Sequence, residues 1–313
     1  MLKSNQHYFD ISVKNKETLE DCYMVLSKDK HINDYANVIQ KIKELLYTIK
    51  TLEAKKNNAD DFYFDLYKVI SYKYADKSEL VCFFNACDCT INTIKEQFDT
   101  FKKVVSLYLN NRDITDITPK EWIQALIDKG ASRSKGSIGE KKLEKIANKH
   151  GFVSVNNWED FLKTKKAVVR FRKNKFDVKT IKKHLGVNLN FNTQNKMLDI
   201  ILKSGTNYCF IEAKHLKEGG GSQDKQIKEL IEIISQKIKN NHIFLGAFMD
   251  GVYSNILLDG INNKLFKNPY CLLKENKSDK LKNQRYDIVQ SLQNCENSFW
   301  FNTSGFDKFL CDF

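Results

Sequence analysis

Two acidic residues lie inside short apolar runs, where burial disfavours a charge. Asp199 interrupts the run Met197–Leu202, Glu212 interrupts the run Tyr208–Ala213, and Lys214 follows directly. Each run has about six residues, an ordinary strand length, so we predict the two strands of a β-hairpin. The residues that could do chemistry are therefore two carboxylates and one ammonium on neighbouring strands.

The turn between the runs determines which residues face each other. In Ser204–Asn207 the two central residues can form a type II′ turn, because Gly205 accepts the positive φ angle that this turn requires. Counting outward by equal steps places Asp199 directly opposite Glu212. Strand residues alternate between the two faces of a sheet, so Lys214 lies on the same face as Glu212. We therefore predict that the three charged groups meet at one place.

Two carboxylates this close repel each other unless a cation lies between them. A hard divalent ion such as Mg²⁺ binds one or two protein carboxylates together with phosphate oxygens of a substrate. A neighbouring lysine can then orient or deprotonate an attacking water molecule. The pattern therefore indicates metal-assisted hydrolysis of a phosphodiester, with Mg²⁺ as the cofactor and Mn²⁺ as its substitute.

This arrangement resembles the PD-(D/E)xK nuclease superfamily, whose signature would be Asp199 followed by Glu212-Ala213-Lys214. Leu198 stands where many members have a proline before the first acid. The resemblance implies a metal-dependent nuclease in which Asp199 and Glu212 bind the metal ion and Lys214 positions the attacking water.

An acid-x-lysine triplet is weak evidence by itself in a chain rich in lysine and glutamate. Glu53-Ala54-Lys55 repeats the triplet, but it ends a helical pattern with no strand before it, so we interpret it as a surface feature. The hairpin copy differs because both of its acids lie in apolar strands of matched register. A purely structural pair of Glu212 with Lys214 is the alternative interpretation.

A basic loop rich in serine and glycine precedes the strands, at Ala131–Glu140. Its side chains that can bind DNA phosphates are Arg133, Ser134 and Lys135. The segment Ile138–His150 then has a helical pattern. This region resembles the start of the catalytic core in many restriction endonucleases, which implies that Glu140 is a further catalytic residue, as a ligand of metal or water. The alternative is a solvated glutamate in the first helical turn, stabilised by the helix dipole.

Three glycines, Gly219–Gly221, follow the hairpin and precede another helical pattern. Consecutive glycines let the backbone approach another group closely, and a helix start offers free N–H groups to an anion. This passage also resembles several type II restriction enzymes. The resemblance implies that Gln226 and Lys225 are accessory DNA-binding residues.

The charge balance indicates a polyanionic partner. The 313 residues include 51 lysines and arginines against 39 acids, a formal net charge of +12, so we predict binding to double-stranded DNA. A lysine-rich surface is also typical of a protein from an AT-rich genome. Phe171–Phe176 interleaves basic and aromatic residues, which suits phosphate contact with base stacking, or equally a solvated surface.

Targeting signals and metal-finger patterns are not found in the sequence. The first residues contain no apolar signal region, and no run approaches 18 apolar residues, so we predict a cytoplasmic protein without membrane contact. The eight cysteines lack the paired spacing of a zinc finger, and we predict reduced thiols.

Apolar residues recur at helical spacing through the first part of the chain, where glycine and proline are almost absent. We predict an all-helical N-terminal subdomain over residues 1–130 and a PD-(D/E)xK-like catalytic domain over residues 131–313. The fold class is then α/β, a mixed β-sheet nuclease core flanked by helices. Further strands are predicted at Val187–Phe191, His242–Met249 and Tyr253–Leu258. Residues 259–313 are predicted as helices that cover the core. A helical subdomain can recognise DNA, dimerise or cover the core, and these roles stay open.

Together these patterns resemble a type II restriction endonuclease, distantly similar to the enzymes that cut GATC sites. The resemblance implies magnesium-dependent hydrolysis of double-stranded DNA at a specific short site, with a companion DNA methyltransferase as the genetic partner and a homodimer as one assembly. A structure-specific repair or recombination nuclease is one alternative. A DNA-binding protein that has this fold without catalysis is another.

Overall fold

The chain divides into two compact units. The computed structural model describes residues 2–24, 27–94, 97–130, 135–189 and 198–313. One unit comprises Met1–Met24 and Ser134–Phe313, and the other comprises Val25–Arg133. The N-terminal subdomain was predicted to begin at residue 1, so the structure differs from the sequence expectation over the first 24 residues, which group with the sheet.

The helices make up most of the regular structure. Numbered along the chain, they are α1 (Asn5–Lys14), α2 (Ile32–Ala54), α3 (Asp60–Ile70), α4 (Glu79–Ala86), α5 (Ile91–Ile94), α6 (Phe98–Asn111), α7 (Lys120–Gly130), α8 (Lys135–Lys149), α9 (Trp158–Lys163), α10 (Val178–Leu185), α11 (Gly221–Ile234), α12 (Tyr253–Leu258), α13 (Asn263–Lys267), α14 (Asp279–Asn294) and α15 (Thr303–Asp312). Within the described ranges, no helix has both the length and the apolar character needed to cross a bilayer.

Helices α2 to α7 form the unit Val25–Arg133. The long helix α2 buries Ile42, Leu46 and Ile49, whose spacing of three and four residues places them on one face. The same core contains the stacked rings of Phe84 and Phe101, with ring centroids 5.9 Å apart. The predicted helical character of this part of the chain is confirmed.

The second unit is built on one mixed β-sheet. Its strands are β1 (Val153–Ser154), β2 (Lys166–Arg170), β3 (Ile200–Ser204), β4 (Asn207–His215), β5 (Ile243–Asp250) and β6 (Ser298–Phe301). They are hydrogen-bonded in the order β1-β2-β3-β4-β5-β6. The pairs β2/β3 and β3/β4 are antiparallel, whereas β1/β2, β4/β5 and β5/β6 are parallel. The predicted fold class, a mixed sheet flanked by helices, is confirmed.

Both faces of the sheet are covered. Strand β5 is buried at every position, as expected for a strand between parallel neighbours with helices on both sides. On one face, Ile211 and Phe248 pack with Leu143 of α8 and with α15. On the other face, Met249 packs with Leu230 of α11 and with α14. Helices α8 and α11 therefore lie on opposite faces of the same strands.

Several local predictions are wrong. Tyr253–Leu258 forms helix α12 rather than a strand. Its buried residues Ser254, Leu257 and Leu258 have helical spacing, but six residues are too few for that spacing to be distinguished from a strand pattern in the sequence. The described part of the predicted edge strand, Val187–Leu189, is not a strand, and its last two residues lie outside the described ranges. Strands β2 and β6 were missed. Only three apolar residues mark β2, and the residues of β6 were interpreted as part of the helical cover.

The buried side chain of Asn302 links the end of helix α1 to the end of β6. Asn302, 1% exposed, follows β6 and caps α15 by accepting a hydrogen bond from the backbone N–H of Gly305 at 2.9 Å. Its Nδ2 donates to the backbone oxygens of Ser12 at 2.9 Å and Asn15 at 2.5 Å. A single amide therefore satisfies the start of one helix and the end of another.

We expect Asn302→Ala to lower the free energy of unfolding by about 2–4 kcal/mol, since it removes one cap and leaves the buried carbonyl of Ser12 and the partly buried carbonyl of Asn15 without this donor. The matched control is Asn262→Ala, which removes an exposed cap of α13, where Asn262 accepts from the Leu265 N–H at 3.1 Å. That change should cost about 1 kcal/mol. Equal losses in urea unfolding would contradict the attachment of α1 through Asn302.

Candidate functional site

The hairpin has the predicted turn and register. Strands β3 and β4 pair Ser204 with Asn207 and, at the far end, Ile200 with Ile211. Gly205 has a φ angle of +59°, and Thr206 is not among the residues with positive φ, which agrees with a type II′ turn. The ladder ends at the pair of Ile200 with Ile211, so Asp199 lies one residue before β3, and Glu212 follows Ile211 on β4.

Asp199 is held at the entrance of β3 by the neighbouring strand. Its backbone N–H donates to the Ile211 oxygen at 3.0 Å, and its Oδ2 accepts a hydrogen bond from the Ala213 N–H at 2.6 Å. Burial, with the charge of Glu212 as the second cause, raises the pKa of Asp199 to about 7, and the Ala213 N–H and Lys214 each reduce the pKa by less than Glu212 raises it. The two predicted metal ligands are therefore close enough for the charge of Glu212 to oppose the ionisation of Asp199.

Glu212 and Lys214 form an ion pair on β4. Glu212 is 3% exposed, and its Oε1 accepts a hydrogen bond from Lys214 Nζ at 2.6 Å. Burial alone would lower the pKa of Lys214, but Glu212, and after it Glu229 and Asp199, raise the pKa above its ordinary value. Lys214 is therefore a cation at neutral pH, held among three carboxylates.

Helix α11 supplies a residue that the sequence analysis missed. Glu229 Oε2 lies 3.2 Å from Lys214 Nζ. Gln226 lies three residues earlier on the same helix and is half-buried, so it faces the same side as Glu229, while Lys225 is exposed. An acid at this helical position gives no signal in sequence, because its partner is set by how α11 packs on the sheet.

Helix α8 brings Glu140 toward the hairpin from the other face of the sheet. Its negative charge contributes to the raised pKa of Asp199, and its Oε2 lies 3.9 Å from Nη1 of Arg170. Arg170 also donates through Nε to Glu144 at 2.9 Å. Glu140 is the sixth residue of α8, so the alternative of a first-turn glutamate is wrong. Its predicted catalytic role stays a prediction.

The predicted phosphate-binding loop is only partly described. Arg133 and Ser134 lie outside the described residues. Lys135 begins α8, and its backbone alone is described. Their contact with DNA stays a prediction.

The triplet Glu53-Ala54-Lys55 lies at the end of helix α2, so no strand precedes it, as predicted. All three residues are exposed, and Glu53 accepts a hydrogen bond from the Tyr63 hydroxyl at 2.7 Å.

A second charged cluster, here termed the lysine cage, was also missed. The carboxylates of Glu17, Glu20 and Asp250 have oxygen atoms within 4.8 Å of one another, a spacing that could hold a metal ion. The ammonium of Lys142 lies among them, 2.5 Å from Glu20, 3.0 Å from Asp250 and 4.0 Å from Glu17. It also donates to Thr303 Oγ1 at 2.6 Å. The side chain of Lys142 therefore supplies the cation that these three acids need.

Asp250 ends β5 and is 2% exposed. Burial alone would raise its pKa, but His215, Lys142 and the Tyr23 hydroxyl hold the pKa of Asp250 well below its usual range. Tyr23 donates to Asp250 Oδ2 at 2.5 Å and stacks on His215, with ring centroids 3.9 Å apart. The sequence signal for Asp250 was an acid directly after the apolar run His242–Met249.

The two clusters differ in how their negative charge is balanced. In the lysine cage, His215 and then Lys142 hold the pKa of Asp250 well below its usual range, whereas burial raises the pKa of Glu17. In the hairpin, Lys214 pairs with Glu212, and Asp199 still has a raised pKa. Carboxylate oxygens are the ligands that Mg²⁺ and Mn²⁺ prefer. The donor types of both clusters therefore fit a divalent cation, and in the lysine cage the ammonium of Lys142 already lies among all three acids.

No protein-family model, no curated protein and no solved structure matches this chain.

We expect Asp199→Asn to be at least as stable as wild type in the presence of a chelator at pH 8. The folded pKa of about 7 lies above the ordinary value of 3.8, so wild type loses stability as the pH rises from about 4 to about 7, and Asn avoids that loss while it still accepts the Ala213 hydrogen bond. Thermal unfolding at pH 4.5, 6 and 8 should show the variant gaining on wild type as the pH rises.

The opposite outcome would identify a structural ion pair. If Asp199 mainly neutralises Lys214, its removal leaves a buried ammonium with less compensation and should cost about 3–5 kcal/mol. A variant that melts clearly below wild type at pH 8 would support that interpretation.

Proposed function

We propose that this protein is a metal-dependent nuclease that hydrolyses phosphodiester bonds of double-stranded DNA, of the type II restriction class. The observation that carries the proposal is the grouping of three charged side chains at the hairpin: Asp199 Oδ2 accepts a hydrogen bond from the Ala213 N–H, beside Glu212, and Lys214 lies 2.6 Å from Glu212. The raised pKa of Asp199 supports it, because perturbed carboxylate pairs are typical of catalytic sites.

In this proposal each side chain has one role. Asp199 and Glu212 hold a divalent cation, Mg²⁺ or Mn²⁺, which would neutralise charge on the phosphodiester during hydrolysis. Lys214, protonated at neutral pH, donates a hydrogen bond that orients the attacking water. Glu140 lies near enough to Asp199 to act as a further ligand of metal or water. Gln226 is placed on the Lys214 side through its position one turn before Glu229.

The substrate class follows from charge. A formal net charge of +12 favours a polyanion, and positively charged surfaces bind duplex DNA through its phosphates. The proposal also includes what is typical of a restriction enzyme: a cytoplasmic location, a companion methyltransferase and assembly as a homodimer. A repair or recombination nuclease would use the same residues on a substrate chosen by its shape.

One observation favours a function without catalysis. Lys214 contacts both Glu212 and Glu229, at 2.6 and 3.2 Å. Such a triad can hold β4 against α11 as a purely structural link in a DNA-binding protein. A nuclease and a DNA-binding protein without catalysis can be distinguished by testing whether Lys214 is needed for a chemical step.

We expect the purified chain to cut unmethylated plasmid DNA with Mg²⁺ and to leave it intact with a chelator. Lys214→Ala should reduce the cleavage rate by about two orders of magnitude, the scale on which positioned acid–base groups act. Lys55→Ala, in the exposed copy of the same triplet, is the matched control and should cut at the wild-type rate.

Equal losses in both variants would mean that the hairpin triplet has no special role. Wild type that binds plasmid but never cuts it, with either Mg²⁺ or Mn²⁺, would favour the DNA-binding alternative. Mapping the ends of the fragments would separate a site-specific enzyme from one that selects DNA by shape.

A further inference from the structure

Six cations lie between β2 and the end of α10 and project into solvent. They are Arg172, Lys173, Lys175, Lys179, Lys182 and Lys183, and all six are exposed. Among the described residues, none of them has an ion-pair partner within 4 Å. We term Arg172–Lys183 the basic segment.

The basic segment has a defined conformation. Arg172 and Phe176 form an isolated β-bridge, with backbone hydrogen bonds of 2.9 and 2.8 Å in the two directions. Asn174 in the turn between them has a φ angle of +63°, a conformation that asparagine tolerates. Helix α10 then begins with a capping box, in which Asp177 accepts the Thr180 N–H at 2.9 Å. Its cations are therefore held at fixed relative positions.

The only acid of the basic segment is used internally. The backbone N–H of Thr180 lowers the pKa of Asp177, and the Asn174 N–H donates to its second oxygen at 2.8 Å. Asp177 therefore stabilises the turn and the start of α10. The outward face of the segment keeps its positive charge.

The aromatic residues face the opposite way. Phe176 is fully buried and Phe171 is 9% exposed, both in the core beneath the sheet. Trp158 stacks on Phe176, with ring centroids 4.5 Å apart, and donates from Nε1 to the Lys175 oxygen at 2.6 Å. The predicted stacking of these phenylalanines on bases is therefore wrong, and they anchor the segment.

The basic segment starts beside the candidate metal ligands. The backbone N–H of Phe171 donates to the backbone oxygen of Asp199 at 3.0 Å. The chain therefore leaves β2 next to Asp199, the residue directly before β3. Lys179, Lys182 and Lys183 have helical spacing of three and four, which places them on one face of α10. The cations therefore begin at Arg172, one residue after Phe171, whose backbone is hydrogen-bonded to Asp199.

We propose that the basic segment binds the phosphate backbone of duplex DNA, independently of sequence, and holds the duplex beside the hairpin carboxylates. The inference rests on the proposed function, since it assigns the surface through which that site receives its substrate. Lysines contact phosphates without reading bases, and such contacts set position rather than specificity. The bases of a target site would then be selected by other parts of the protein.

The chemistry of the segment favours duplex DNA over two other polyanions. Binding of single strands relies on exposed aromatic rings for stacking, and the phenylalanines here are buried. Binding to an anionic membrane surface relies on apolar anchors beside the cations, and no large apolar side chain of Arg172–Lys183 is among the exposed ones. Cations alone are sufficient for the phosphates of a duplex.

The test measures binding of a fluorescent 30-base-pair duplex by the full chain, in chelator, over a range of salt concentrations. The variant is Lys179→Gln, Lys182→Gln and Lys183→Gln combined, which keeps helix propensity. The slope of log affinity against log salt should fall by about 2–3, since each phosphate that a lysine no longer neutralises reduces it by about 0.9. Two duplexes of unrelated sequence should lose affinity by the same factor.

The matched control is Lys264→Gln, Lys267→Gln and Lys274→Gln combined. These lysines are exposed in the same unit, and the variant has the same net charge. Its salt slope should equal that of wild type. Equal slopes in the two triple variants would overturn the proposal, because net charge alone would then explain binding.

Further arms make each outcome decisive. If the α10 variant unfolds, Lys173→Gln with Lys175→Gln tests the same segment, because the hydrogen bonds of that turn use no side-chain atom of these two lysines, and a slope reduced by about 2 supports the proposal. A loss of binding to phosphatidylserine vesicles with duplex binding unchanged would overturn it. A chain that binds duplex through the segment but never cuts DNA would refute the proposed nuclease and leave this surface assigned.

Discussion

The opposition of two carboxylates on adjacent strands is the constraint on which the site depends. A two-residue turn at Gly205 sets the register of β3 and β4 as far as Ile200 and Ile211, and Asp199 lies beside Glu212 because its Oδ2 accepts the Ala213 N–H. Burial removes the water that would otherwise screen them, and the pKa of Asp199 rises to about 7. Lys214 pairs with Glu212 and leaves that rise in place, so the pair retains a need for positive charge.

The rest of the unit positions this pair. The antiparallel arm β2-β3-β4 carries the hairpin, and parallel pairing of β4 with the buried strand β5 holds its other side. Helix α11 contributes Glu229 from one face, and α8 brings Glu140 from the other. The lysine cage joins α8 to the end of β5 through Lys142 and Asp250, whose charged atoms lie 3.0 Å apart.

The hairpin could be predicted because its information is local. Turn chemistry, strand alternation and equal counting from Gly205 together determine which residues oppose each other. Glu229 and the lysine cage could not be predicted, since their partners come from elements far apart in the chain, such as Glu20, Lys142 and Asp250. Helix α12 was assigned as a strand because a short apolar run has no distinctive period, and Phe171 and Phe176 were oriented wrongly because interleaved sequence does not show which side is buried.

The central claim is that Asp199 and Glu212 share one divalent cation. Calorimetric titration of Mn²⁺ into the full chain tests it most directly, with Asp199→Asn, Glu212→Gln and the lysine-cage variant Glu20→Gln compared with wild type. The account predicts one ion bound by wild type and by Glu20→Gln, and none by either hairpin variant. Binding that persists in both hairpin variants and is lost in Glu20→Gln would contradict it and place the cation in the lysine cage.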